Sequence, residues 1–86
     1  MLILSNSDCR ICAEALLGPL EASDQLDSAD ELKDWLDGFY SSPSEYLGEL
    51  RIILKRIGPK SLDFEACKNV KDCLRYIDNA FKRVNG

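Results

Sequence analysis

Histidine is absent from this chain. Its absence removes the usual general base near neutral pH and the commonest side-chain metal ligand. There is no apolar run approaching the ~20 residues of a membrane-spanning helix, so no membrane partner is expected. The apolar start Met1-Leu2-Ile3-Leu4 is too short for a signal-peptide core and has no basic segment before it. A cytoplasmic location with reduced cysteines is the expectation. A dominant basic surface is missing as well: the formal net charge is −4 and the pI about 4.7, which argues against direct nucleic-acid binding. Neither an internal repeat nor a low-complexity linker is present. No catalytic signature and no cofactor site is read.

What the chain does have is segregated charge. Nine of its fifteen acidic residues lie between Glu21 and Glu49, with Lys33 as the single basic residue, a net charge of −8. From Arg51 to Gly86 nine basic and four acidic residues give +5. At 86 residues and 45% hydrophobic, the sequence is read as one helical domain over 1–86, close to the lower limit for an independent core.

Start, stop and periodicity signals predict four helices, at about 8–17, 29–40, 43–57 and 62–84. In the first, Ser7 or Asp8 is the expected cap, Cys9, Cys12, Ala13, Leu16 and Leu17 share a face, and Gly18-Pro19 is expected to stop or kink the helix. In the second, Ser28 and Glu31 fit a capping box, and Leu32, Trp35, Leu36, Phe39 and Tyr40 form one apolar stripe. The third repeats this with Ser42, Pro43 and Glu45, buries Tyr46, Leu47, Leu50, Ile53, Leu54 and Ile57, and ends at Gly58-Pro59. The fourth begins at Ser61 or Asp63 and carries a seam of Cys67, Val70, Leu74, Ile77, Phe81 and Val84, flanked by Ala66, Cys73 and Ala80. Short connections favour antiparallel neighbours, hence an all-α, compact four-helix antiparallel bundle with room for short extra turns.

Cys9-Arg10-Ile11-Cys12 is the most chemically pointed motif. With residues 2–4 as a short strand and the next few as a loop, the first twenty or so residues resemble the first βα unit of glutaredoxin-like and thioredoxin-like proteins. That resemblance implies Cys9 as nucleophilic thiolate, Cys12 as resolving thiol, and thiol–disulfide oxidoreductase as an alternative function. Four thiolates could in principle hold zinc, but Cys67 and Cys73 stand ~240° apart around a helix and lack paired metal-ligand spacing. No metal site is expected, and these two cysteines read as core residues.

On the second helix Asp27, Asp30, Asp34 and Asp37 recur at three, four and three residues and line one face opposite Trp35. Like charges at this spacing repel, and a carboxylate in the last turn opposes the helix dipole. The plain alternative is a solvated face, or one answered by basic residues of the later helices. An EF-hand is excluded, because the acids are spaced by three with no turn glycine or terminal glutamate. Ser28 in Leu26-Asp27-Ser28-Ala29 lacks the apolar residue that follows a carrier-protein serine. Tyr76 and Ile52 lie off the apolar stripes as candidate contact anchors. The expectation is a non-enzymatic interaction module whose Asp27, Asp30, Asp34 and Asp37 meet a basic surface on another protein. In size and charge it is similar to toxin-immunity proteins and phage-type inhibitors. The small core is also compatible with a homodimer.

Overall fold

The first helix begins where Ser5 in extended conformation turns its hydroxyl to the Asp8 amide at 3.3 Å, an N-cap two or three positions earlier than the sequence predicts. The computed structural model of the chain describes residues 2–58 and 62–85, which form α1 (Asn6–Ala22), α2 (Leu26–Asp37), α3 (Pro43–Arg56) and α4 (Phe64–Asn85). Pro59, Ser61 and the Val84 side chain, all used in the sequence reading, lie outside the described residues. Among those described there is no strand, so residues 2–4 do not form the one that the thioredoxin-like resemblance implies. Among the described residues no helix is long and apolar enough to cross a membrane.

Pro19 does not end α1, which continues to Ala22. The ring removes one hydrogen bond, to the carbonyl of Ala15, but Ala15 is exposed and water can serve that oxygen. Continuing the helix carries Leu20 to complete burial beside Leu16, worth about 1.5–3 kcal/mol for the side chain. Helix termination comes instead from Asp24, held at φ 64°. The Gln25 amide donates to the Leu20 carbonyl at 2.9 Å and the Asp24 amide to Glu21 at 3.2 Å, a Schellman arrangement with aspartate where glycine is commoner.

α2 starts at Leu26 with Gln25 as N-cap and no side-chain capping bond; the expected Ser28–Glu31 box does not form. Gln25 is committed elsewhere. Its amide accepts from the Gly58 N–H at 2.7 Å and donates to the Gly58 carbonyl at 3.0 Å, tying the turn before α2 to the end of α3. α2 also stops earlier than the stripe predicts, at Asp37 with Gly38 as C-cap. The chain then folds Tyr40 back so that its hydroxyl donates to the Trp35 carbonyl at 3.1 Å. Trp35 in turn donates from Nε1 to the Tyr46 carbonyl at 2.8 Å, with ring centroids 4.5 Å apart. Phe39 is left fully exposed rather than in the core.

α3 follows its sequence closely. The Ser42 hydroxyl accepts from the Glu45 amide at 3.2 Å, Pro43 opens the helix, and Leu47, Leu50, Ile53, Leu54 and Ile57 are buried. The Glu45 carboxylate accepts from Ser41 rather than closing the expected box on Ser42, and Tyr46, expected to be buried, is half-buried. In α4 Asp63 is the cap, accepting from the Ala66 amide at 2.8 Å. Its buried line is Ala66, Cys73 and Ile77, while Cys67, Val70, Leu74 and Phe81 are only half-buried. The seam is thus rotated from the predicted one. The physical reason is that α4 packs on α3 and α1 at once, with Cys12 of α1 against its backbone at Asn69.

The helices form a ring: α1 packs on α2, α2 on α3, α3 on α4, and α4 closes on α1. Cross-contacts fix their directions. Arg10, early in α1, donates to the Leu36 carbonyl late in α2; Arg56, last in α3, pairs with Glu31; Tyr76 of α4 donates to Asn6 at the start of α1 at 2.8 Å. The fold is an all-α four-helix bundle with α2 and α4 at opposite corners.

Candidate functional site

Asp27, Asp30, Asp34 and Asp37 all lie within α2. At ~100° per residue they fall within roughly 80° of the helix circumference, directly away from the buried Ala29 and Leu32. All four are exposed, and none is in an ion pair or hydrogen bond with another side chain among the described residues. Two acids of the same run behave differently: Glu21 pairs with Lys33 at 3.1 Å and Glu31 with Arg56 at 3.0 Å. The one lysine of the acidic run is therefore turned toward α1 and does not answer the aspartates. Asp27 sits in the first turn, where the helix dipole favours it; Asp37 closes the last turn, where the dipole opposes it.

Two features beside this face escaped the sequence reading. Phe39, two residues past Asp37, projects fully into solvent. Apolar spacing assigned it to the core, although Gly38 immediately before it was the available signal that the helix had ended. An open cleft of about 360 Å³ runs between α2 and α3, lined by Asp34, Glu49, Tyr40, Ile52 and Arg56 among others. It joins Glu49 of α3 to the acidic face and places half-exposed Ile52 beside it. Tyr76, the other proposed anchor, is elsewhere. It helps line a groove of about 700 Å³ between residues 2–4 and α4, rimmed by Lys68, Arg75 and Arg83.

Cys9 and Cys12 are both fully buried. They lie inside α1 rather than opening it, since Cys9 is its fourth residue. A reactive dithiol needs solvent access and the unsatisfied N–H groups of a helix end; here Ser5 and Asp8 occupy that end. Both lie in the core cluster that also holds the buried Cys73 of α4. Cys73 donates toward Cys12 and Cys9, which together with burial pushes its own thiol far above the ordinary range. The same bond from Cys73 lowers the Cys12 thiol, outweighing the opposing effect of burial. Cys12 Sγ also approaches the Asn69 carbonyl at 3.5 Å. Cys67 is separate and half-buried, its Sγ 3.8 Å from the Leu62 carbonyl. The described residues contain no disulfide and no cluster of three or more His, Cys, Asp or Glu arranged to hold a metal ion.

The structure thus offers an exposed acidic surface whose aspartates have no cationic partner among the described residues, an exposed aromatic two residues beyond its last aspartate, and three buried thiols in the core. Compared with known proteins, the chain matches no family model, no curated protein and no solved structure, so its function is read from these surfaces.

Proposed function

We propose that this protein is a non-enzymatic helical interaction module that places the α2 face against a basic surface of another protein, in the manner of an inhibitor or immunity protein. The observation that carries the reading is the contrast along the acidic run. Glu21 and Glu31 have cationic partners within the fold, while Asp27, Asp30, Asp34 and Asp37 have none among the described residues. Four carboxylates at three- and four-residue spacing repel one another and weaken the helix that bears them. A local conflict that the fold leaves uncompensated is relieved when an external cation arrives. In such a complex the carboxylates steer the encounter. Phe39, already free of the core, supplies a rigid aromatic anchor at its rim.

The test is affinity capture from the native host by the wild-type chain and by D30N/D34N/D37N, each at low and high salt. A specific partner held by the wild type, released by salt and lost by the triple variant is the expected result. Equal capture by both proteins refutes the acidic-face assignment, and loss on Phe39→Ala alone moves the contact to the aromatic edge.

A further inference from the structure

We propose that Cys12 and Cys73 form a reversible disulfide that fastens α1 to α4. Three of the four cysteines lie in one core cluster, two from α1 and one from α4, all fully or almost fully buried. α1 packs directly on α4, as a bond between the two helices requires. Cys12 rather than Cys9 is the partner because its Sγ already touches the α4 backbone at Asn69, one turn from Cys73. A Cys9–Cys12 bond would span a single turn of α1 and fasten nothing else.

The oxidant is a small-molecule disulfide such as glutathione disulfide. Burial means that exchange proceeds when α1 swings briefly from α4, so its rate follows that local opening. In the opened state the Cys12 thiolate attacks one sulfur of the oxidant, forming a mixed disulfide and expelling one thiolate. Cys73 then gives up its proton to solvent and attacks the Cys12 sulfur, expelling the second thiolate. Two protein S–H bonds are exchanged for one protein S–S bond, and the oxidant is reduced to two thiols. Once α1 closes again the bond is shielded, and the two ends of the chain are linked through the core. Such a link would set how readily the N-terminal helix opens without altering the α2 face.

The experiment incubates the folded full-length chain with glutathione disulfide, traps remaining thiols by alkylation, and maps the linkage by tryptic digestion and mass spectrometry. Cleavage after Arg10 separates Cys9 from Cys12, and cleavage after Lys71 and Arg75 isolates Cys73 from Cys67. The expected product links the peptide spanning 11–33 to that spanning 72–75, with Cys9 and Cys67 alkylated. The oxidised protein should also unfold at a higher urea concentration than the reduced one, a difference erased by reductant and retained in Cys67→Ala. Linkage through Cys9 or Cys67 overturns the proposal. So does retention of all four thiols under conditions that oxidise the urea-unfolded chain. Because the mapping uses the wild-type protein, the outcome does not depend on whether Cys73→Ala folds.

Discussion

Replacing Asp30, Asp34 and Asp37 together by asparagine should stabilise the free protein while weakening its hold on a basic partner. In the wild type, Asp27–Asp30, Asp30–Asp34 and Asp34–Asp37 are like-charge pairs at helical spacing on an exposed face. At about 0.2–0.5 kcal/mol per pair, removing all three relieves about 0.6–1.5 kcal/mol. Asp37 adds a contribution from the last turn, at the low end of about 0.3–1 kcal/mol because the site is solvated. Asp27 is kept, since in the first turn its charge is favourable, and Asp30 lies beyond that turn and loses little. Asparagine and aspartate have similar helix propensities, so that factor nearly cancels. The net expectation is about 1–2 kcal/mol at low ionic strength, and each kcal/mol raises Tm by about 4–8 °C in a domain of this size.

The assay is urea unfolding followed through the single tryptophan, Trp35, which is buried in the native state. The midpoint should rise with an unchanged m-value. The gap between variant and wild type should narrow in high salt, where screening has already eased the wild-type repulsion. A variant of equal or lower stability, or a gap insensitive to salt, would refute the reasoning. Because the expected variant is the more stable protein, any lost binding cannot be ascribed to unfolding.

Four further outcomes follow from the structure. Gly48→Ala should stabilise α3 by about 0.5–1 kcal/mol, since the new Cβ meets only Phe81 at an ordinary 3.8 Å; a lower urea midpoint would contradict this. Asp24→Gly should also stabilise, by about 0.5–1 kcal/mol, by relieving a non-glycine residue of its positive φ, and thermal melts decide it. Gln25→Ala removes both hydrogen bonds to Gly58 and should cost about 1–2 kcal/mol; an unchanged midpoint would show that water replaces the clamp. Burial is the leading cause raising the phenols of Tyr40, Tyr46 and Tyr76. Their folded-state values therefore lie above the unfolded value of about 10, so their stabilising contribution is intact below about pH 10 and is lost as pH rises through the folded values. Urea midpoints that stay level while phenolate absorbance develops would contradict that sign.

The bundle was legible in the sequence where local and tertiary demands agree. α3 is the clearest case: Ser42 caps it, Pro43 starts it, and its apolar stripe is the buried one. Where the two demands differ, local rules lose. Pro19 should break a helix, but burial of Leu20 outweighs one missing hydrogen bond. Ser28 has the grammar of a cap, but a long-range clamp at Gln25 sets the start of α2. The α4 seam was displaced because α4 packs on both α1 and α3, a detail of pair packing that periodicity does not carry. The four aspartates were legible as one face because helical spacing alone places them. Phe39, Glu49 and the Cys73 junction were not, since each depends on where a helix ends or which helix lies opposite.

The ring order of the helices has an electrical consequence. Because α2 and α4 occupy opposite corners of a body measuring 37 × 25 × 18 Å, the molecule is a dipole, negative at one corner and positive at the other. Its thickness exceeds the ~8 Å screening distance of physiological salt, where an approaching protein feels only the nearer corner. At ~0.01 M the screening distance grows to ~30 Å, and the whole dipole acts at once. A basic partner would then exert a torque that turns α2 toward it before contact. Dilute buffer should thus favour productive orientation as well as attraction, whereas in physiological salt orientation is left to rotational diffusion.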